Sequence, residues 1–501
     1  MKALRLPLLS AITLTASLGG AALAQTAPSS EQAKALEKQI HDALTDATGG
    51  VFPIPPRPVE MIPEGDHYLV RVPLAEIARV EPPDAAFTAQ ARMLDATRWS
   101  IDNQKLPSDF KITTVMSVPD APDAKTPGPD GKHNETVTYT VKLGQQEGHG
   151  IFDPAYATVT TSTGSIATVD ILRAGGSAAG VTHMSRVSTQ TSLRPIDPAH
   201  IDMLSDTTTD TYATESSLPD GTAVKFSAAS THVIGGLSGV AHDKLLPLLH
   251  QAVAVSKLKT PPPGDKKAQA AFDSALRQLI TLSKGLLTGG RIEEAINEVK
   301  FDVSGHTGSF GKLAFAFSGD APQDMLTTTM GFTLDGLVVD ELPPAMASYV
   351  PTHFSIRPTV SNISLSDITK MGMDAANTPA GAPPGAPAPD TKALFSHGGI
   401  NIGFDSLGLD IAGAQFSGSG KFTMTGPQTV NGQAEITAHG LDALITKAQA
   451  DPMLAQGVPV IIFLKGIAHT TGDQAVWQIS ASNQKVLVNG VDLSAMMGAM
   501  K

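Results

Sequence analysis

The dominant signal along this chain is alternation with a period of two. In "TVTYTVKL", Val137, Tyr139, Val141 and Leu143 alternate with Thr136, Thr138, Thr140 and Lys142. Ile112, Thr114, Met116 and Val118 share one side of "KITTVMSV". The pattern recurs in "HYLVRV", "AVKFSA", "KLAFAFS" and "LTTTMGFTL", the last two through Leu313, Phe315, Phe317, Leu326, Met330, Phe332 and Leu334. Successive side chains of a strand point to opposite faces, so these segments predict strands with one apolar and one solvated side. Parallel sheets covered on both faces would show continuous apolar runs instead. The expected fold is mainly β with some α (α+β): an extended, curved antiparallel sheet with one apolar face and a few packed helices.

The stretch "SGSGKFTMTG" tests that reading, because Gly418, Gly420 and Lys421 resemble the start of a phosphate loop. Such a loop needs Gly five positions before the second Gly and a hydroxyl residue after the Lys. Gln415 and Phe422 occupy those positions. Phe416, Gly418, Gly420, Phe422 and Met424 alternate with polar residues, so the stretch reads as a strand whose glycines admit a close neighbour, such as a helix.

Helical spacing appears in fewer places. "SSEQAKALEKQIHDALTD" carries Leu36, Ile40 and Leu44 on one side, with Ser29 and Gln32 placed as a capping box. "GDKKAQAAFDSALRQLITLSKGLL" has Asp265 as N-cap, and "AHDKLLPLLHQAVAVSK" is helical with a bend expected at Pro247. "GVPVIIFLKGIA" fits a helix, with a buried strand as the alternative. Asn489-Gly490 marks a tight turn near the end. Strand-to-helix transitions with matching triplets, Ile368-Thr369-Lys370 and Ile445-Thr446-Lys447, suggest an internal echo.

The opening "MKALRLPLLSAITLTASLGGAALAQT" places Lys2 and Arg5 before an apolar stretch and ends it at Ala22-Leu23-Ala24. That is the layout of a cleavable signal peptide over residues 1–24, with an uncleaved anchor as the alternative. No later run reaches the roughly 18 apolar residues that span a bilayer, so no transmembrane anchor is expected after cleavage. The expected location is periplasmic. Residues 25–257 are read as an N-terminal β-rich region with a leading helix, and 258–268 as a Pro-rich linker. Residues 269–501 form a C-terminal helix plus β-rich region, interrupted by a disordered Pro/Ala/Gly loop at 377–392.

The 501 residues include no Cys, which excludes disulfides and thiolate metal sites. The formal charge is -12, and removing the two cations of the leader makes it -14. An acidic chain is a poor partner for nucleic acid, and none is expected. The search for chemistry returns little. Ser177 and Ser238 each fail the second Gly of a nucleophile elbow. His242 and His250 lie eight apart across Pro247, poor spacing for sharing a metal. Asp206, Asp210 and Glu215 in "SDTTTDTYATE" could hold calcium on a loop, but the alternating threonines favour a solvated strand. Glu293, Glu294 and Glu298 read as the wet side of a helix, and Asp340 and Glu341 as helix-capping residues. No catalytic, cofactor-binding or metal-ligating residue is assigned, and no cofactor is expected.

"GKFTMTGPQTVNGQAEITAHGLDALI" and "PVIIFLKGIAHTTGDQAVWQISASNQKVLVNGVDLSAM" resemble the end of an uncharacterised proteobacterial periplasmic family of unknown function. "LDGLVVDELPPAMASYVPTHFSIRPTVSNISLSDI" is similar in style to AsmA-like and YdgA-like envelope proteins. The resemblance covers roughly residues 300 to 496 and supplies no catalytic residues. It implies long, curved antiparallel sheets and a connection with envelope lipid. The chain departs from AsmA-like members in lacking a retained anchor. The resulting expectation is an exported envelope protein without catalysis, binding a lipid or other apolar ligand on the sheet. The alternative is a structural or interaction protein that binds another periplasmic or outer-membrane protein, and a hydrolase with an unrecognised site is the remote one.

Overall fold

The computed structural model describes residues 27–48, 54–78, 80–95, 97–119, 132–153, 156, 158–176, 179–218, 221–258, 265–376, 391–427, 429–450, 455–482 and 485–492. The expected leader, 1–24, therefore lies outside the described residues, as does most of the 377–392 loop. The chain is mainly antiparallel β with several helices and divides into two compact units. The first comprises residues 1–287 with 302–304, and the second comprises 288–301 with 305–501. Helix Lys266–Ser283, which opens within the expected 258–268 linker, belongs to the first unit. Among the described residues no helix is long and apolar enough to cross a membrane.

In the first unit an antiparallel ladder runs from Glu60–Glu64 through His67–Pro73, Ala86–Met93, Trp99–Lys105 and Gln146–Asp153. It continues through the long strands Thr158–Ala174, Gly180–Pro195 and His200–Ser217 to Ser230–Ala241. Helix Ser30–Thr48 covers the early strands by burying Ala33, Leu36 and Ile40 against Met61, Tyr68, Val70, Ala91 and Trp99. Each fully buried Leu or Ile contributes about 1.5–3 kcal/mol. The helix start is tied down by more than the predicted box. Gln32 N–H donates to Ser29 Oγ at 3.2 Å, while Ser29 N–H donates to the Tyr68 hydroxyl, which itself donates to Gln32 Oε1 at 3.0 Å. Asp265 caps its helix as expected, accepting from the N–H groups of Lys267 and Ala268.

The long strands of this unit do not keep one side protected. In Gly180–Pro195, Thr182 and Met184 turn inward at one end, whereas Val187, Thr189, Thr191 and Leu193, of opposite parity, turn inward at the other. The neighbours switch at matching register: Val169 and Ile171 give way to Ile166 and Ser162, and Tyr212 and Thr214 give way to Thr209 and Thr207. Arg186, at the crossover, has φ +39°.

In the second unit the ladder runs His306–Asp320, Met325–Asp335, His353–Ser364, Ile400–Ile411, Ala414–Gly426, Thr429–His439 and Gln474–Ser482. Strands His353–Ser364 and Thr429–His439 are each followed by a short helix, Leu365–Ala376 and Leu441–Ala450, where the echoed triplets lie. "GVPVIIFLKGIA" resolves as helix Val458–Gly466. Asn489 and Gly490 turn the last hairpin at φ +49° and +82°. Two expectations are corrected. Glu293, Glu294 and Glu298 lie on a strand, Gly289–Val303, not a helix. Its β-branched Ile292, Ile296, Val299 and Val303 outweigh the helix-forming glutamates. Asp340 and Glu341 cap no helix: both carboxylates accept from Thr307, Asp340 Oδ2 from its hydroxyl and Glu341 Oε1 from its N–H, each at 2.7 Å.

Candidate functional site

The register of the second unit brings apolar side chains from seven strands into rows. One row reads Phe315, Phe332, Ile356, Leu407, Gly418, Ile436 and Trp477. The next reads Leu313, Leu334, Phe354, Leu409, Phe416, Ala438 and Ala475. The residues between these positions along each strand face the other way. Phe332 and Phe354 meet at 5.9 Å between ring centroids.

The glycines of "SGSGKF" find their reason here. A Cβ on Gly420 would lie 2.5 Å from Ala434 Cβ and 2.8 Å from Phe404 Cε1, and one on Gly418 would lie 2.8 Å from Glu435 O. The close neighbour is thus the adjoining strands and the Phe404 ring rather than a helix. Nothing in the stretch cradles phosphate.

One end of these rows is covered. Ala438, Leu441, Ala475, Trp477 and Val488 form a buried cluster with Phe416, Ile436, Leu444 and Ile467 around it. Trp477 Nε1–H donates to Leu464 O at 2.8 Å, fastening helix Val458–Gly466 over that end. Asn489 closes the corner by donating to Ile467 O and Val476 O. At the other end Phe315, Phe317, Met330, Phe332 and Ile402 remain 37–49% exposed. Helix Val458–Gly466 itself exposes Val460, Ile462, Phe463 and Leu464.

The remaining candidates disperse. Asp206, Asp210 and Glu215 lie along one strand and take separate partners, His232, Arg186 and Lys225. His242 Nε2 meets Pro198 O at 2.9 Å, and the ring packs edge-on against Tyr156. No group of three or more metal-ligating side chains occurs among the described residues. Ser177 lies outside them, and Ser238 is in strand Ser230–Ala241. A cleft of about 450 Å³ is lined by polar Thr352, Asp410, Gln415, His439, Lys447 and Asp473 and by apolar Val350, Ile411 and Ala414. The Lys447 ammonium is engaged there by Ala412 O at 2.8 Å.

Sequence reasoning missed one polar array, on the opposite side of the same strands. His353 Nδ1 lies 2.5 Å from Asp335 Oδ1, and its Nε2 lies 3.0 Å from Ser355 Oγ. The local signal was "HFS", two polar residues bracketing Phe354, but Asp335 arrives only through strand register. No protein-family model, curated protein or solved structure matches the chain.

Proposed function

We propose that the chain is an exported envelope protein that holds an apolar ligand, the acyl chain of a lipid, against the second unit's sheet. The reading takes the apolar rows as one face, curved around the ligand and left uncovered between the Phe315 end and helix Val458–Gly466. The observation that carries it is the exposure of Phe315, Phe317, Met330 and Phe332 side by side on paired strands. A contiguous exposed apolar patch marks an interaction surface, whereas apolar residues scattered singly need no explanation. Each methylene laid against such a surface contributes about 0.8 kcal/mol. The leader-like start and the likeness to AsmA-like and YdgA-like proteins support an envelope setting.

The test is mass spectrometry of organic extracts from protein purified without detergent, with a fluorescent fatty acid as direct titrant. Copurified lipid and saturable fatty-acid binding are expected, and the double substitution Phe315→Ser with Phe332→Ser removes both. Lipid-free preparations that also fail to bind the titrant would sink the proposal. A second reading, a surface for another envelope protein, is favoured by the exposed apolar side of helix Val458–Gly466. In-cell crosslinking from position 462 that traps one defined protein, with no lipid found, would select it.

A further inference from the structure

We propose that Ser355, His353 and Asp335 form a hydrolytic triad for carboxylic esters, a second activity separate from the apolar rows. The three side chains belong to paired strands. Asp335 is the register partner of His353, and Ser355 follows His353 by two positions, on the same side. Asp335 Oδ1 at 2.5 Å fixes the proton on His353 Nδ1, because an ionised carboxylate only accepts. Nε2 is then the acceptor, and the Ser355 hydroxyl at 3.0 Å is its donor. That is the nucleophile, base and orienter arrangement that defines the chemistry irrespective of fold.

One further feature belongs to the same spot. The residue opposite Ser355 is Gly408, where a Cβ would stand 2.6 Å from Ser355 Oγ and 2.9 Å from His353 Nε2. Any other residue would push the pair apart. His353 and Asp335 are 36% and 39% exposed, so an ester can reach them from solvent.

The step balances without a cofactor. Ser355 Oγ adds to the ester carbonyl as its proton passes to His353 Nε2, and Asp335 stabilises the imidazolium. The C–O bond to the alcohol breaks, and the alcohol departs with that proton. Water then adds to the acyl-Ser355, giving its proton to His353. Collapse releases the acid and returns the proton to Ser355. Ser355 and His353 are the catalytic residues, and Asp335 positions the imidazole.

The experiment treats the purified full chain with a fluorophosphonate probe and with p-nitrophenyl acetate. One adduct per folded chain, mapped to Ser355 by peptide mass spectrometry, is expected, with ester turnover that Ser355→Ala abolishes. His353→Gln is expected to lower the labelling rate at least tenfold with unchanged circular dichroism. Asp335→Asn reverses the tautomer, a change that costs on the order of 10⁴-fold in a developed triad, and Asp335→Glu restores part of the rate. An unlabelled Ser355 in folded protein would overturn the proposal. So would equal labelling of wild type, His353→Gln and urea-unfolded chain, or ester turnover undiminished in Ser355→Ala. Fatty-acid binding by Ser355→Ala is expected to be normal, which separates this outcome from that of the lipid proposal.

Discussion

The two units use the same period-two alphabet and arrive at different interiors. In the first, inward positions of the long strands mix apolar residues with Thr, and the threonines pair across strands: Thr182 with Thr214 at 3.1 Å and Thr189 with Thr207 at 3.2 Å. In the second, the equivalent rows are Phe, Ile, Leu and Trp. The hydroxyl residues teach why only the first unit changes its protected side near Arg186. A small side chain with a methyl and a hydroxyl tolerates either environment, so the strand can cross over at little cost. A Phe on the wrong side would forfeit its burial, about 1.5–3 kcal/mol. In the second unit the bulky residues therefore stay in register, and exposure is set by what covers them.

The sharpest break of the comparison is Trp477→Ala. It removes the ring that anchors helix Val458–Gly466 and leaves Leu464 O without its donor. The expected loss is about 3–5 kcal/mol, read from urea denaturation. Next comes a pair of glycine substitutions, one in a strand of each unit. Gly420→Ala forces a Cβ to within 2.5 Å of Ala434 Cβ and is expected to cost about 1–3 kcal/mol. Gly235→Ala, in the first unit, meets nothing within 4 Å, and is expected to be neutral or stabilising by about 0.4–1 kcal/mol. Equal effects at the two sites would erase the distinction between a filled and a loosely filled interior. Smaller again is Thr207→Val, which deprives Thr189 of its cross-strand hydroxyl, at about 0.5–1.5 kcal/mol. A gain in stability there would mean that the hydroxyl ladder contributes nothing.

Much of this is legible in the sequence. The alternating segments form strands, and "SGSGKF" proved to be one because its Phe and Gly positions obey the strand period. What escaped detection depends on partners distant in sequence. Glu293, Glu294 and Glu298 read as helix because charge spacing on a short window cannot register which strands lie beside it. The change of protected side at Arg186 is hard to read from sequence, because Thr and Ser alternate there with only a few apolar residues, Met184, Val187 and Leu193. The pairing of Asp335 with His353 joins residues 18 positions apart. Only the register of Met325–Asp335 against His353–Ser364 brings them together, and a shift of that register would have placed Asp335 elsewhere.

The finest test concerns an exposed turn of the first unit, where neither interior matters. Asp95 Oδ1 accepts from Arg98 N–H at 2.8 Å and Thr97 N–H at 3.0 Å, and Oδ2 accepts from Arg98 Nε at 2.7 Å. The backbone donors of Arg98 and Thr97, and then the Arg98 guanidinium, hold this carboxyl well below its ordinary value of 3.8. Because the folded value is depressed, the stabilisation is complete above the unfolded value and fades as pH falls toward the folded one. The stability gap between wild type and Asp95→Asn is therefore expected to be constant from pH 7 to about pH 5 and to narrow below pH 4. Asn keeps an acceptor oxygen but not the charge, so the pH-dependent part of the gap isolates the ionised carboxylate. Urea midpoints measured at pH 7, 5, 4 and 3 would show it. A gap that stays level down to pH 3 would mean that the turn holds its shape through hydrogen-bond geometry alone, independent of the interiors that distinguish the two units.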